Sequence, residues 1–127
     1  MDREAFEEIA ERAFHALPKT FRDRIENVEV VVQDEPSSDP QLSRYGVRRN
    51  EMLLGLYHGV PLTKRGPWYG TTPTLPDRIT LFQKNIEAVC STEKEVEEKI
   101  YEVLFHEVGH YFGMNEEEIR AAMRDWR

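Results

Sequence analysis

The stretch His106-Glu107-Val108-Gly109-His110-Tyr111-Phe112-Gly113-Met114-Asn115-Glu116 reads H-E-x-x-H-x-x-G-x-x-E. On a helix, residues four apart project from one face, one turn above the other. His106 and His110 therefore present two imidazoles that can share one tetrahedral zinc ion, with Glu107 beside them as a candidate general base. A third protein ligand is still required. Gly113 can take a left-handed conformation that ends the helix and turns the chain back. Glu116, three residues on, is then placed to swing toward the metal. The five-residue core of the motif is only moderately specific. The glycine and the acidic residue at fixed places beyond it make a chance match far rarer.

Upstream, the helix that carries the motif has a defined start. Thr92-Glu93-Lys94-Glu95 is a capping box, and helical spacing persists to about Phe112. At ~100° per residue, Val96, Ile100, Val103, Glu107 and His110 fall on one stripe. Tyr101, Phe105, Val108 and Phe112 widen it. Glu95, Glu98, Glu102 and Gly109 are expected to face outward. A helix this apolar is mostly buried. Histidines and a glutamate on its core side need partners, and a metal supplies them. Two histidines that merely packed would leave that need unmet, and two that faced solvent are the alternative to a metal site.

Downstream, Asn115-Glu116-Glu117-Glu118 offers a second N-cap and capping box. Ile119, Ala122, Met123 and Trp126 continue at helical spacing. Carboxylates at a helix N-terminus are favoured by its dipole without any metal. Glu116 has the spacing of a third ligand. Glu117, Glu118 and a site with only two protein ligands are the alternatives.

The opening of the chain predicts another helix. Ala5, Phe6, Ile9, Ala10, Ala13, Phe14 and Leu17 lie at helical spacing behind an Asp2 N-cap, and Pro18 marks the end. His15 reads as a cation favoured by that helix's dipole, not as a ligand. Phe21 to Ile25 suggests a short helical turn. Val28-Glu29-Val30-Val31-Val32, Met52 to His58 and Arg78-Ile79-Thr80-Leu81-Phe82 read as strands. Asn85 to Val89 reads as a short helix. Asp34 to Arg49 and Gly59 to Pro76 are rich in breakers and read as loops. Trp68 and Tyr69 in the second loop suit a lid or substrate wall, or equally the cover of a core edge. His58 is either exposed or turned to the cleft as a hydrogen-bond donor. Tyr57 and His58 are the candidates for holding substrate or stabilising an oxyanion.

At 127 residues the chain predicts a single domain spanning 1–127 with one modest core. Apolar residues at 39% and charged residues at 32% fit a soluble globular protein. A net charge of −7 disfavours a nucleic-acid partner, which needs clustered Lys and Arg. Cys90 stands alone, so neither an internal disulfide nor a cysteine zinc cluster is expected. It reads as a small apolar residue rather than a nucleophile. The first residues lack the apolar run of a signal peptide, and no stretch is long enough to span a membrane. A cytoplasmic monomer with no membrane partner is the expectation.

The motif resembles that of the zincin metallopeptidases. Gly55-Leu56-Tyr57-His58-Gly59-Val60-Pro61-Leu62-Thr63-Lys64-Arg65-Gly66 and Asp77-Arg78-Ile79-Thr80-Leu81-Phe82 are similar to the small bacterial zincin-like metallopeptidase family. That resemblance implies a minimal zincin domain: α+β, with helices packed on a small mixed sheet of about three strands. It implies Zn2+ held by His106, His110 and Glu116, Glu107 as general base, and a peptide or protein substrate lying extended beside an edge strand. The chain departs from the metzincins in carrying an acidic residue where their third histidine usually sits, and no methionine turn is evident. It departs from the gluzincins in taking its glutamate so close to the second histidine. Two alternatives stand beside a peptidase. One is a non-catalytic metal-binding or interaction module on the same scaffold. The other is a metal-dependent hydrolase of another class, such as the endoribonucleases of rRNA maturation, which share H-x-x-x-H-x-x-G but place a third histidine where Glu116 stands.

Overall fold

A computed structural model describes residues 1–23, 25, 27–36, 53–59 and 77–126. The apolar spacing at the start of the chain produces α1 (Arg3–His15), capped by Asp2, whose Oδ1 accepts from the Ala5 N–H at 2.8 Å. Phe6, Ile9, Ala10 and Ala13 form its buried face. A single turn, α2 (Lys19–Arg22), starts directly after Pro18.

Three strands follow: β1 (Val28–Gln33), β2 (Gly55–His58) and β3 (Asp77–Phe82). They form one sheet in the order β1-β3-β2, with β3 parallel to β1 and antiparallel to β2. β3 is thus the central strand. Its unbroken run Ile79-Thr80-Leu81-Phe82 is buried throughout, as a strand with neighbours on both sides requires. Next come α3 (Gln83–Ala88), the long α4 (Glu93–Tyr111) and α5 (Glu116–Trp126). The fold is α+β, with helices packed against a small mixed sheet. Ile100, Leu104, Phe105 and Val108 of α4 are buried in one core with Phe6, Ile79, Leu81 and Ile119. No helix among the described residues is long and apolar enough to cross a membrane.

Several boundaries differ from the sequence expectation for identifiable reasons. β2 begins at Gly55, not near Met52. Leu53 and Leu54 are held instead by single bonds: Asn85 Nδ2 donates to the Leu53 carbonyl at 2.7 Å, and the Phe82 N–H donates to the Leu54 carbonyl at 3.0 Å. α3 begins at Gln83 because the buried Gln83 side chain ties it to the start of the chain, donating to the Met1 carbonyl and accepting from Arg3, both at 2.8 Å. Thr92 caps α4 by accepting from the Glu95 N–H at 3.1 Å, and Glu95 reaches back to the Ser91 N–H at 3.0 Å. The loop expected over Asp34 to Arg49 lies outside the described residues beyond Pro36. So do Met52 and the loop beyond Gly59 with Trp68 and Tyr69.

The clearest correction concerns Gly109, which faces inward, not outward. It is buried, and a Cβ built on it would stand 2.6 Å from Ile119 Cγ1 and 2.8 Å from its Cδ1. The missing side chain is what lets α5 fold back against α4 between the two motif histidines. Ile119 is itself fully buried, its side chain lying against the Gly109 backbone. Gly109→Ala should therefore destabilise the fold by roughly 1–3 kcal/mol, an overpacking cost that outweighs alanine's better helix propensity. It should also weaken metal binding by displacing Glu116. Denaturant unfolding and zinc titration check both. A variant as stable as the wild type would contradict this packing.

Candidate metal centre

The end of α4 determines where the site forms. Gly113 has a φ of +78°, in the left-handed region. Its N–H donates to the His110 carbonyl at 2.9 Å, and the Met114 N–H donates to the Gly109 carbonyl at 3.0 Å. This is a Schellman closure, in which the first N–H beyond the cap and the next one satisfy two orphan carbonyls and reverse the chain. Asn115 then starts α5. Its Oδ1 accepts from the Glu118 N–H at 2.8 Å, and Glu118 Oε1 accepts from the Asn115 N–H at 2.9 Å. The carboxylate of Glu118 is thereby committed to the cap. Glu116, at the first helical position, points back at the histidines.

His106 Nε2 donates to both Glu116 oxygens at 2.8 Å, and His110 Nε2 lies 3.3 Å from Glu116 Oε1. The two imidazoles stand edge to face, their centroids 4.5 Å apart. One ligand atom from each of His106, His110 and Glu116 lies within 4.8 Å of the others. Ligand atoms around a tetrahedral zinc with bonds of about 2.0–2.2 Å are about 3.4 Å apart. The three residues fit such an ion with only small adjustments. The side chains of His106, His110 and Glu116 keep 35%, 41% and 58% of their exposure, so the centre opens to solvent.

Glu107 is more enclosed, with 13% of its side chain exposed, and its Oε1 lies 3.9 Å from His106 Nδ1. The carboxylates of Glu107 and Glu116 push the pKa of His106 up to about 9, against the opposing effect of burial. Glu116 is the close partner of the two, since 3.9 Å is longer than a hydrogen bond. Glu116 in turn is held below the usual carboxylate range, chiefly by the hydrogen bond from His106.

His106, Glu107 and Glu116 line one end of a cleft of about 420 Å³ between α4 and α5. Its third wall is Leu53 to Gly55, at the entry to β2. Tyr57 and His58 do not form this wall. The Tyr57 hydroxyl donates to the Asp77 carboxylate, and its ring packs on Tyr111 with centroids 5.5 Å apart. His58 is buried rather than exposed, with Nε2 3.1 Å from Thr80 Oγ1. A Cβ on Gly55 would meet Val103 of α4, so the alternate position His58 lies on the opposite face of the sheet. His15 is exposed and 3.9 Å from Glu11. Cys90 packs at the core margin, where burial and then Glu95 push its thiol pKa up, the opposite of an activated nucleophile.

Sequence reasoning missed Asn85, Arg120 and Met123. Arg120 and Met123 lie four and seven residues after Glu116, the spacing that places them on its face of α5, and both line the cleft. Asn85 gave no signal, because its role is a bond to a backbone carbonyl 32 residues away.

Residues 25–126 match the family described as zincin-like metallopeptidase. A solved structure of a conserved hypothetical protein from Thermus thermophilus is similar to this chain, with a TM-score of 0.52 and 27% identity over 98% of this chain and 100% of that one. No curated protein matches the chain.

The raised His106 pKa gives a pH dependence with a definite sign. Without metal, the imidazolium–carboxylate contact contributes stability fully below about 6.5, and this is lost as pH rises through about 9. A metal needs the neutral imidazole, so binding must expel that proton. Zinc affinity should therefore rise about tenfold per pH unit between these limits, while the melting temperature of the metal-free protein falls. Chelator competition and thermal melts at three pH values measure both. An affinity that does not change with pH would exclude this proton competition.

Proposed function

The chain belongs to the zincin-like metallopeptidase family, and from that premise we propose that it is a zinc-dependent peptidase with Glu107 as its general base. One observation carries this reading: His106, His110 and Glu116 converge at the end of the cleft that Glu107 also lines. Zinc in that centre would lower the pKa of a water and polarise the substrate carbonyl. The residues of the chain do the rest. His106, His110 and Glu116 would hold the ion. Glu107 contributes no ligand atom to the cluster, so its carboxylate is free to accept the water's proton and later pass it to the leaving amine. Its low exposure favours that duty, because a base shielded from bulk water keeps the proton for the leaving group.

A peptide or protein substrate suits the geometry. β2 enters the cleft wall at Gly55, which sits directly against Val103 of the motif helix. An extended peptide laid along this wall would gain register from main-chain hydrogen bonds, with loose sequence preference.

Glu107→Gln keeps the size of the side chain and removes the base. It should retain stoichiometric zinc and lower peptide cleavage ~10²–10⁴-fold, in a peptide-library digest read by mass spectrometry. Zinc-loaded wild type that cleaves no better than Glu107→Gln would replace the peptidase with a non-catalytic metal-binding module.

A further inference from the structure

The cleft beside Glu107 is asymmetric in a way that indicates what it binds. Along α4 it is lined by His106, Val103 and Lys99, and along α5 by Glu116, Arg120 and Met123. Both rows follow helical spacing away from the metal centre. Seven residues of helix span roughly 10 Å, so the cleft accepts about three residues of extended peptide, at ~3.3 Å each, on one side of the scissile bond. Its apolar lining is Leu53, Leu54 and Met123, which are half-buried, and these lie over the buried Val103 and Ile119. Its rim carries two cations. Lys99 is already paired with Glu102 at 3.3 Å. Arg120 is exposed and has no carboxylate at salt-bridge distance among the described residues. The acidic groups at the inner end have other tasks, Glu116 at the metal and Glu107 as base. Among the described lining residues, Arg120 is thus the cation with no ion pair, its nearest charge effect being on Glu116. It stands one turn, roughly 6 Å, from Glu116, the reach of about two extended residues.

We propose that this cleft is the specificity site, and that it takes a peptide with a large aliphatic side chain on the apolar surface of Leu53, Leu54 and Met123 and a carboxylate, within two residues of the scissile bond, held by Arg120. The inference rests on the peptidase reading for the scissile bond itself. The carboxylate comes either from an Asp or Glu side chain or from the free C-terminus of the peptide. Arg offers a planar fork matched to both.

The test is calorimetric binding to the zinc-loaded Glu107→Gln protein, in which turnover is suppressed. Four acetylated peptides are compared: Leu-Asp with an amidated end, Leu with a free C-terminal carboxylate, Leu-Lys amidated and Ala-Asp amidated. At least one of the first two should bind roughly tenfold more tightly than Leu-Lys, the size of one charge-assisted hydrogen bond at an exposed site. The tighter of the two identifies the source of the carboxylate. Ala-Asp should lose a similar factor against Leu-Asp through its smaller apolar contact. Adding Arg120→Glu should reverse the order of the carboxylate and Leu-Lys peptides, and Arg120→Lys should preserve it. Equal binding of Leu-Asp, free-acid Leu and Leu-Lys, or no binding of any peptide, overturns the proposal. So does a carboxylate preference that survives Arg120→Glu, which would mean that the ligand binds the metal directly. Correctly ordered binding with no cleavage by wild type upholds the selectivity of the cleft and overturns the peptidase reading.

Discussion

Glu116 reaches His106 at 2.8 Å because the chain reverses within four residues of the end of α4. Everything that makes the site depends on that reversal. Gly113 supplies the left-handed turn, Asn115 and Glu118 lock the start of the next helix, and Gly109 lets Ile119 pack into α4 between the histidines. Each of these is a local steric or hydrogen-bond requirement. Together they fix the third side chain of the cluster without a distant element of the fold. The chain therefore builds a three-residue cluster from eleven consecutive residues, His106 to Glu116.

The electrostatics follow from the same closeness. Two imidazoles and two carboxylates share a half-exposed corner of an otherwise acidic chain. Without metal, the imidazolium of His106 satisfies Glu116. With metal, the ion would take the place of that proton and offer the same carboxylate a stronger partner. The pair holds His106 and Glu116 together, and a metal would have to compete with its proton. Around the corner, Arg120 and the apolar lining give the cleft a polarity that the cluster itself lacks. The wall opposite is held in register by Asn85 through the Leu53 carbonyl. Support for the cleft thus comes from the sheet side, whereas the metal centre is built by the two helices.

Much of this is legible in the sequence, and the limits have physical causes. The motif helix, its Thr92 cap, the Gly113 turn and the Asn115–Glu118 box are all short-range patterns, and each takes the form its residues predict. The strands are recognisable from their β-branched runs, whereas their pairing is not, since a parallel β1–β3 pair with β2 on the far side is a tertiary choice. Helical spacing alone puts Gly109 on the outer face, because the partner that covers it, Ile119, comes from the next helix. His58 is hard to place for a similar reason. Alternation gives two faces, and only the Gly55–Val103 contact tells which one faces α4. The spacing of Arg120 from Glu116 is visible, but an arginine on a helix surface is ordinarily solvated, and only the cleft gives it a task.

The central claim is that one turn of chain brings Glu116 into a shared metal site with His106 and His110. X-ray absorption at the zinc edge, on protein loaded with one equivalent, tests it most directly. The account predicts a first shell of nitrogen and oxygen at about 2.0–2.2 Å, no sulfur, and outer scattering from two imidazoles and from a carboxylate carbon that is lost in Glu116→Ala. A shell containing sulfur from Cys90, one with fewer than two imidazoles, or one unchanged by Glu116→Ala would contradict it.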